Sequence, residues 1–116
     1  MNGRELQDKC RELVQVAESK DEDVTIAALA LAGEAGEVAN DVKKFLYGRF
    51  GRNELRCRTI RELKDNLYYI SCVANALDID LDEVMDGVVP HIAEKIMGAM
   101  IQNDPRVAAI AQVCAA

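Results

Sequence analysis

The sequence has no tryptophan, one histidine and two prolines in 116 residues, and its aromatic rings are three tyrosines and two phenylalanines. Scarce aromatic side chains argue against a sheet, and abundant alanine and leucine favour helix. With a single histidine and no Cys-x-x-Cys pair, a zinc site lacks ligands. The four cysteines, Cys10, Cys57, Cys72 and Cys114, are widely spaced. They read as free thiols of a reducing compartment, so a cytoplasmic protein is expected. Positive charge is also in short supply: 14 Lys and Arg stand against 20 Asp and Glu, a net charge of −6. DNA or RNA needs a basic surface and is excluded as a generic ligand, whereas a single nucleotide is not, because a metal can neutralise its phosphates. No uncharged apolar run reaches the roughly 20 residues of a membrane span. The length suits one domain over residues 1–116.

The chain reads as all-α, with helices near residues 4–18, 24–46, 59–77 and 81–98 and a short apolar C-terminal helix after Asp104-Pro105. In the first helix Leu6, Cys10, Leu13, Val14 and Ala17 recur at helical spacing. The second is apolar nearly all round until Asn40. A helix without a polar face needs cover on several sides, so a homodimer or homotetramer built as a helical bundle is expected. Tyr47 to Asn53, YGRFGRN, is the clearest turn. Asp80 and Glu83 have the spacing of a capping box opening the fourth helix. Pro90 should kink or restart that helix.

Within LAGEAGEVAND, Glu34 and Glu37 lie three residues apart, and Glu62 and Asp65 repeat that spacing in RELKDNLYYI. Residues three apart share a helix face. At about 100° per residue, Glu34, Glu37 and Asp41 fall with Ala27, Leu31, Val38 and Phe45, so these acids sit in an apolar seam. Buried like charges raise one another's proton affinity or break the packing. A divalent cation resolves the conflict. Mg²⁺ prefers oxygen ligands and keeps positions for water and phosphate oxygens, which suits phosphoanhydride hydrolysis. Mn²⁺ could substitute.

Other readings compete. A lone Glu-x-x-Glu is usually a solvated edge. Thr59-x-x-Glu62 is itself a capping box, which would place Glu62 at a helix start. A di-iron bundle needs Glu-x-x-His, but the residue three before His91 is Val88.

The segments LALAGEAGEVANDVKK and RELKDNLYYISCVANALDIDLDEV resemble the MazG-like nucleotide pyrophosphohydrolases of the all-α NTP pyrophosphatase superfamily. Their pattern of Glu-x-x-Glu, spacer, Glu-x-x-Asp falls on Glu34, Glu37, Glu62 and Asp65. The resemblance covers about residues 26–84. It implies Mg²⁺ on those four acids, subunits paired around helical bundles, and water attacking the α-phosphorus of an NTP or dNTP. The products are a nucleoside monophosphate and pyrophosphate, and the role is house-cleaning of the nucleotide pool. Many relatives have an Asn and a Lys three residues later in the fourth helix, where Val88 and His91 stand here. Lys44, Asn75, His91 and Lys95 are the candidate substrate contacts. The competing function is a non-catalytic nucleotide-binding or helical oligomerisation module that retains the acids.

Overall fold

A computed structural model describes residues 1–16, 24–101 and 106. Among the described residues there are four helices and no strand: α1 (Gly3–Val16), α2 (Val24–Leu46), α3 (Arg52–Ala76) and α4 (Leu81–Ile101). The chain divides into two compact units, Met1–Leu81 and a second beginning at Asp82. The short C-terminal helix expected after Pro105, and the last residues of the first expected helix, lie outside the described residues.

In the first unit, α1 opens on Asn2, whose side-chain oxygen accepts the Glu5 amide N–H at 2.8 Å, the usual service of an N-cap. Gly3, Gln7, Cys10 and Val14 are buried at steps of four, three and four, while Leu13 is exposed. That stripe lies on α3. Gln7, only 3 % exposed, joins three segments. Its amide nitrogen donates to Asn75 Oδ1 at 3.1 Å and to the Ile79 carbonyl at 2.7 Å. Its oxygen accepts the Leu81 N–H at 2.9 Å. Asn75 returns a bond to the Gln7 carbonyl at 3.2 Å. Beside this clamp Ser71 is fully enclosed. Its hydroxyl has no hydrogen-bond partner of ordinary geometry, and the polar group that it faces is the Cys10 thiol, which burial pushes to a higher pKa. Cys10, Cys57 and Cys72 are free thiols. Burial, then the neighbouring Cys72, pushes the Tyr68 hydroxyl up to about 12.

α2 and α3 form a helical hairpin. α2 ends where the Gly48 N–H bonds the Phe45 carbonyl and the Arg49 N–H bonds the Lys44 carbonyl. Gly48 takes φ +75° there, a conformation that a side chain opposes. α3 then starts at Arg52, seven residues before the expected start. Gly51 occupies its N-cap without a side-chain cap bond. Thr59 is thus interior and caps nothing: its hydroxyl donates to the Leu55 carbonyl at 2.7 Å. The capping-box reading of Glu62 falls with it. At the far end Asp78 takes φ +54° in the link to α4, a left-handed position that aspartate tolerates better than most residues.

In the second unit α4 runs without interruption through Pro90, three residues beyond the expected end and with no restart at the proline. No helix among the described residues is long and apolar enough to cross a membrane.

Candidate metal centre

Antiparallel packing in the hairpin brings position 34 of α2 opposite 62 and 65 of α3, and position 41 opposite 58. Glu34, Glu62 and Asp65 each offer a carboxylate oxygen, and these oxygens lie within 4.8 Å of one another. Glu34 and Glu62 are half-buried and Asp65 is exposed. Partial burial first, then a hydrogen bond to Glu34 and the charges of Glu34, Asp41 and Asp65, hold the Glu62 carboxyl above the ordinary carboxylate range. Three oxygen donors from two helices, crowded and short of positive charge, fit a hard divalent cation.

Arg58 brings positive charge to the seam. Its Nη2 bonds Glu54 Oε1 at 2.9 Å and its Nη1 lies 3.6 Å from Asp41 Oδ1. Its guanidinium also sits 4.5 Å from the centre of the Phe50 ring, a cation–π contact. Asp41 is 4 % exposed, and a carboxylate so enclosed needs a cation beside it. Arg58 thus ties the 47–51 turn, α2 and α3 together next to the acidic group, with its charge committed to Asp41 and Glu54.

The other expected residues are distributed as follows. Glu37 is exposed one turn along α2 from Glu34 and lies outside the group of three. Lys44 is half-buried in the last turn of α2. Asn75 spends its amide on the Gln7 clamp. His91 and Lys95 are exposed on α4, in the second unit. Sequence reasoning missed Arg58 because it began the third helix at residue 59, which left Arg58 in a loop. A signal was present: Glu54 and Arg58 have the i, i+4 spacing and order of a stabilising helix pair, and they make that pair here.

Residues 22–98 match the MazG nucleotide pyrophosphohydrolase domain, a stretch that holds both acid pairs and the whole hairpin. The chain belongs to this family. The MazG domain is also similar to the Gene 37 protein of Mycobacterium phage L5, 40 % identical over 65 residues. That match takes in 54 % of this chain and 57 % of the phage protein, so the chain spans little more than half of its relative. No solved structure matches. The acidic cluster of this MazG domain suits a divalent metal.

Proposed function

We propose that this MazG domain hydrolyses nucleoside triphosphates, NTP or dNTP, to the nucleoside monophosphate and pyrophosphate, with Mg²⁺ as the metal and Mn²⁺ as a substitute. The observation that carries the reading is the group Glu34, Glu62 and Asp65, three acids from two helices with Arg58 already engaged elsewhere. Those three would hold the ion, with Glu37 one turn away as the fourth acid. When bound, Mg²⁺ supplies charge neutralisation and polarisation of phosphate oxygens. Glu37, outside the crowded group, would take a proton from the attacking water. Water adds to the α-phosphorus, the bond from that phosphorus to the bridging oxygen breaks, and pyrophosphate leaves. Lys44 at the end of α2 is offered to the phosphates, with His91 and Lys95 as further substrate contacts. Removal of unwanted nucleotides in the cytoplasm is the proposed role.

We also read the protein as a homodimer or homotetramer. Leu29 on α2 and Val89 on α4 are 69 % and 74 % exposed, and other apolar side chains on each helix are exposed to a lesser degree. Contiguous uncovered apolar surface marks an interaction site.

The test is a panel of NTPs and dNTPs incubated with Mg²⁺ and assayed for pyrophosphate. Release that disappears with Glu62→Gln supports the reading. Release that survives it assigns the activity elsewhere. Nucleotide binding without release would make the domain a binding module.

A further inference from the structure

The acid pairs sit part-way along the α2–α3 hairpin, and the charge on either side of them differs. Towards the turn, residues 43–61 hold seven basic side chains and one acid, Glu54. Away from the turn, residues 24–33 of α2 and 66–76 of α3 hold no charged side chain. The acids therefore divide the hairpin into a cationic end and an uncharged end. A nucleotide is divided in the same way, with its charge in the phosphate chain and none on the nucleoside.

At the cationic end Arg58 stands one turn before Glu62 on the same side of α3, about 6 Å along the axis. Its two ion pairs are unequal. The Asp41 side chain is 6 % exposed and the Glu54 side chain 53 %. Without Arg58 the enclosed Asp41 carboxylate would lose the cation beside it, which is costly. Glu54 returns to water at little cost, because an exposed i, i+4 pair is weak. Asp41 and the Phe50 ring hold the guanidinium in place. The edge they leave carries Nε and Nη2, which donate to Glu54 Oε1 at 3.2 and 2.9 Å. That fork suits a phosphate as well as a carboxylate.

We propose that Arg58 keeps Asp41 and exchanges Glu54 for the distal phosphates of a nucleoside triphosphate. The phosphate chain then runs from Glu34, Glu62 and Asp65 towards the turn, and the nucleoside lies at the uncharged end. The inference rests on the function proposed above for the same site. Arg58 touches the pyrophosphate half of the substrate, where charge builds as the bond to the α-phosphorus breaks. Glu54 holds the fork until the phosphates take it.

The test reads binding by calorimetry and needs no turnover. Inorganic pyrophosphate with Mg²⁺ is titrated into the wild type, Arg58→Gln, Glu54→Gln and the double variant, and circular dichroism checks that each keeps its helix content. Arg58→Gln should bind pyrophosphate at least about tenfold more weakly. Arg58→Lys, which keeps a cation for Asp41 and loses the fork, takes its place if the glutamine variant loses helix. Glu54→Gln leaves the Asp41 pair intact and should bind pyrophosphate about two- to threefold more tightly. That gain should vanish in the double variant. An arginine that only held the helices together would not produce it. Unchanged affinity in either single variant, or a gain that survives in the double variant, overturns the proposal. Pyrophosphate binding that Glu62→Gln removes and Arg58→Gln keeps overturns the Arg58 contact alone and leaves the hydrolase reading standing. Binding through Arg58 by a chain that releases no pyrophosphate from NTPs supports the contact and overturns the hydrolase reading. A wild type that binds no pyrophosphate overturns both.

Discussion

α3 meets its two neighbours in the first unit through polar groups, and the two contacts are finished differently. Against α1, Gln7 is buried with its donors and acceptor all used and Asn75 answers it. Against α2, Asp41 is buried with one cation at 3.6 Å, and three further carboxylates crowd together one to two turns away. The first contact closes on itself. The second has more negative charge than the ion pairs among the described residues neutralise. Buried polar groups are normally satisfied, and places where local rules are broken tend to be sites of function. The difference separates a fastener from a site on a single helix.

The largest effect expected is at the open contact. Glu62→Gln should weaken Mn²⁺ binding, read by calorimetry, by on the order of 100-fold or more, since even groups that only orient metal ligands cost 10- to 100-fold. Unchanged Mn²⁺ affinity would break the comparison. At the closed contact, Gln7→Ala takes the Gln7 side chain from the buried Leu81 N–H and from the partly buried Ile79 carbonyl. It should lower unfolding free energy by roughly 2–3 kcal/mol and leave Mn²⁺ affinity within about twofold of the wild type. An equal loss of both would mean that the two contacts act as one. A finer comparison lies within α2: Glu34→Gln should cost about tenfold more in Mn²⁺ affinity than Glu37→Gln, because only Glu34 lies in the group of three.

The smallest effect is in pH dependence. The folded chain holds the Glu62 proton to a higher pH than the unfolded chain, whose glutamate titrates near 4.5. Between those two values the folded state binds more protons, so rising pH lowers stability. Without metal the melting temperature should therefore fall as pH climbs from 4.5, and Glu62→Gln should flatten that fall. A metal-free variant that tracks the wild type at every pH would count against the crowding of Glu62.

Much of this was legible in the residues. The all-α class, the span of α2, the opening of α4 at Leu81 and the convergence of Glu34 with Glu62 and Asp65 follow from spacing and composition. The start of α3 did not, because Thr59-x-x-Glu62 offered a local cap that competed with Gly51. Seven residues of helix were lost by it, and with them Arg58. Nor could spacing separate Glu37 from Glu34. Both lie on the acidic side of α2, and only packing against α3 selects one. The bond of Asn75, a candidate substrate contact, to Gln7 was not legible either, because Gln7 lies 68 positions away, beyond any local pattern. Pro90 was expected to kink or restart α4, and α4 runs on through it without a restart.

Gly33 and Gly36 flank Glu34 on α2, and a Cβ at either would meet nothing within 4 Å. Inside a helix each glycine costs about 1 kcal/mol relative to alanine, and nothing among the described residues requires their small size. Gly33→Ala with Gly36→Ala is therefore a thermostabilised background on which weakened active-site variants could still be handled. If that background melts higher yet works less well, the vacant strip beside the acids belongs to whatever arrives there from outside the chain.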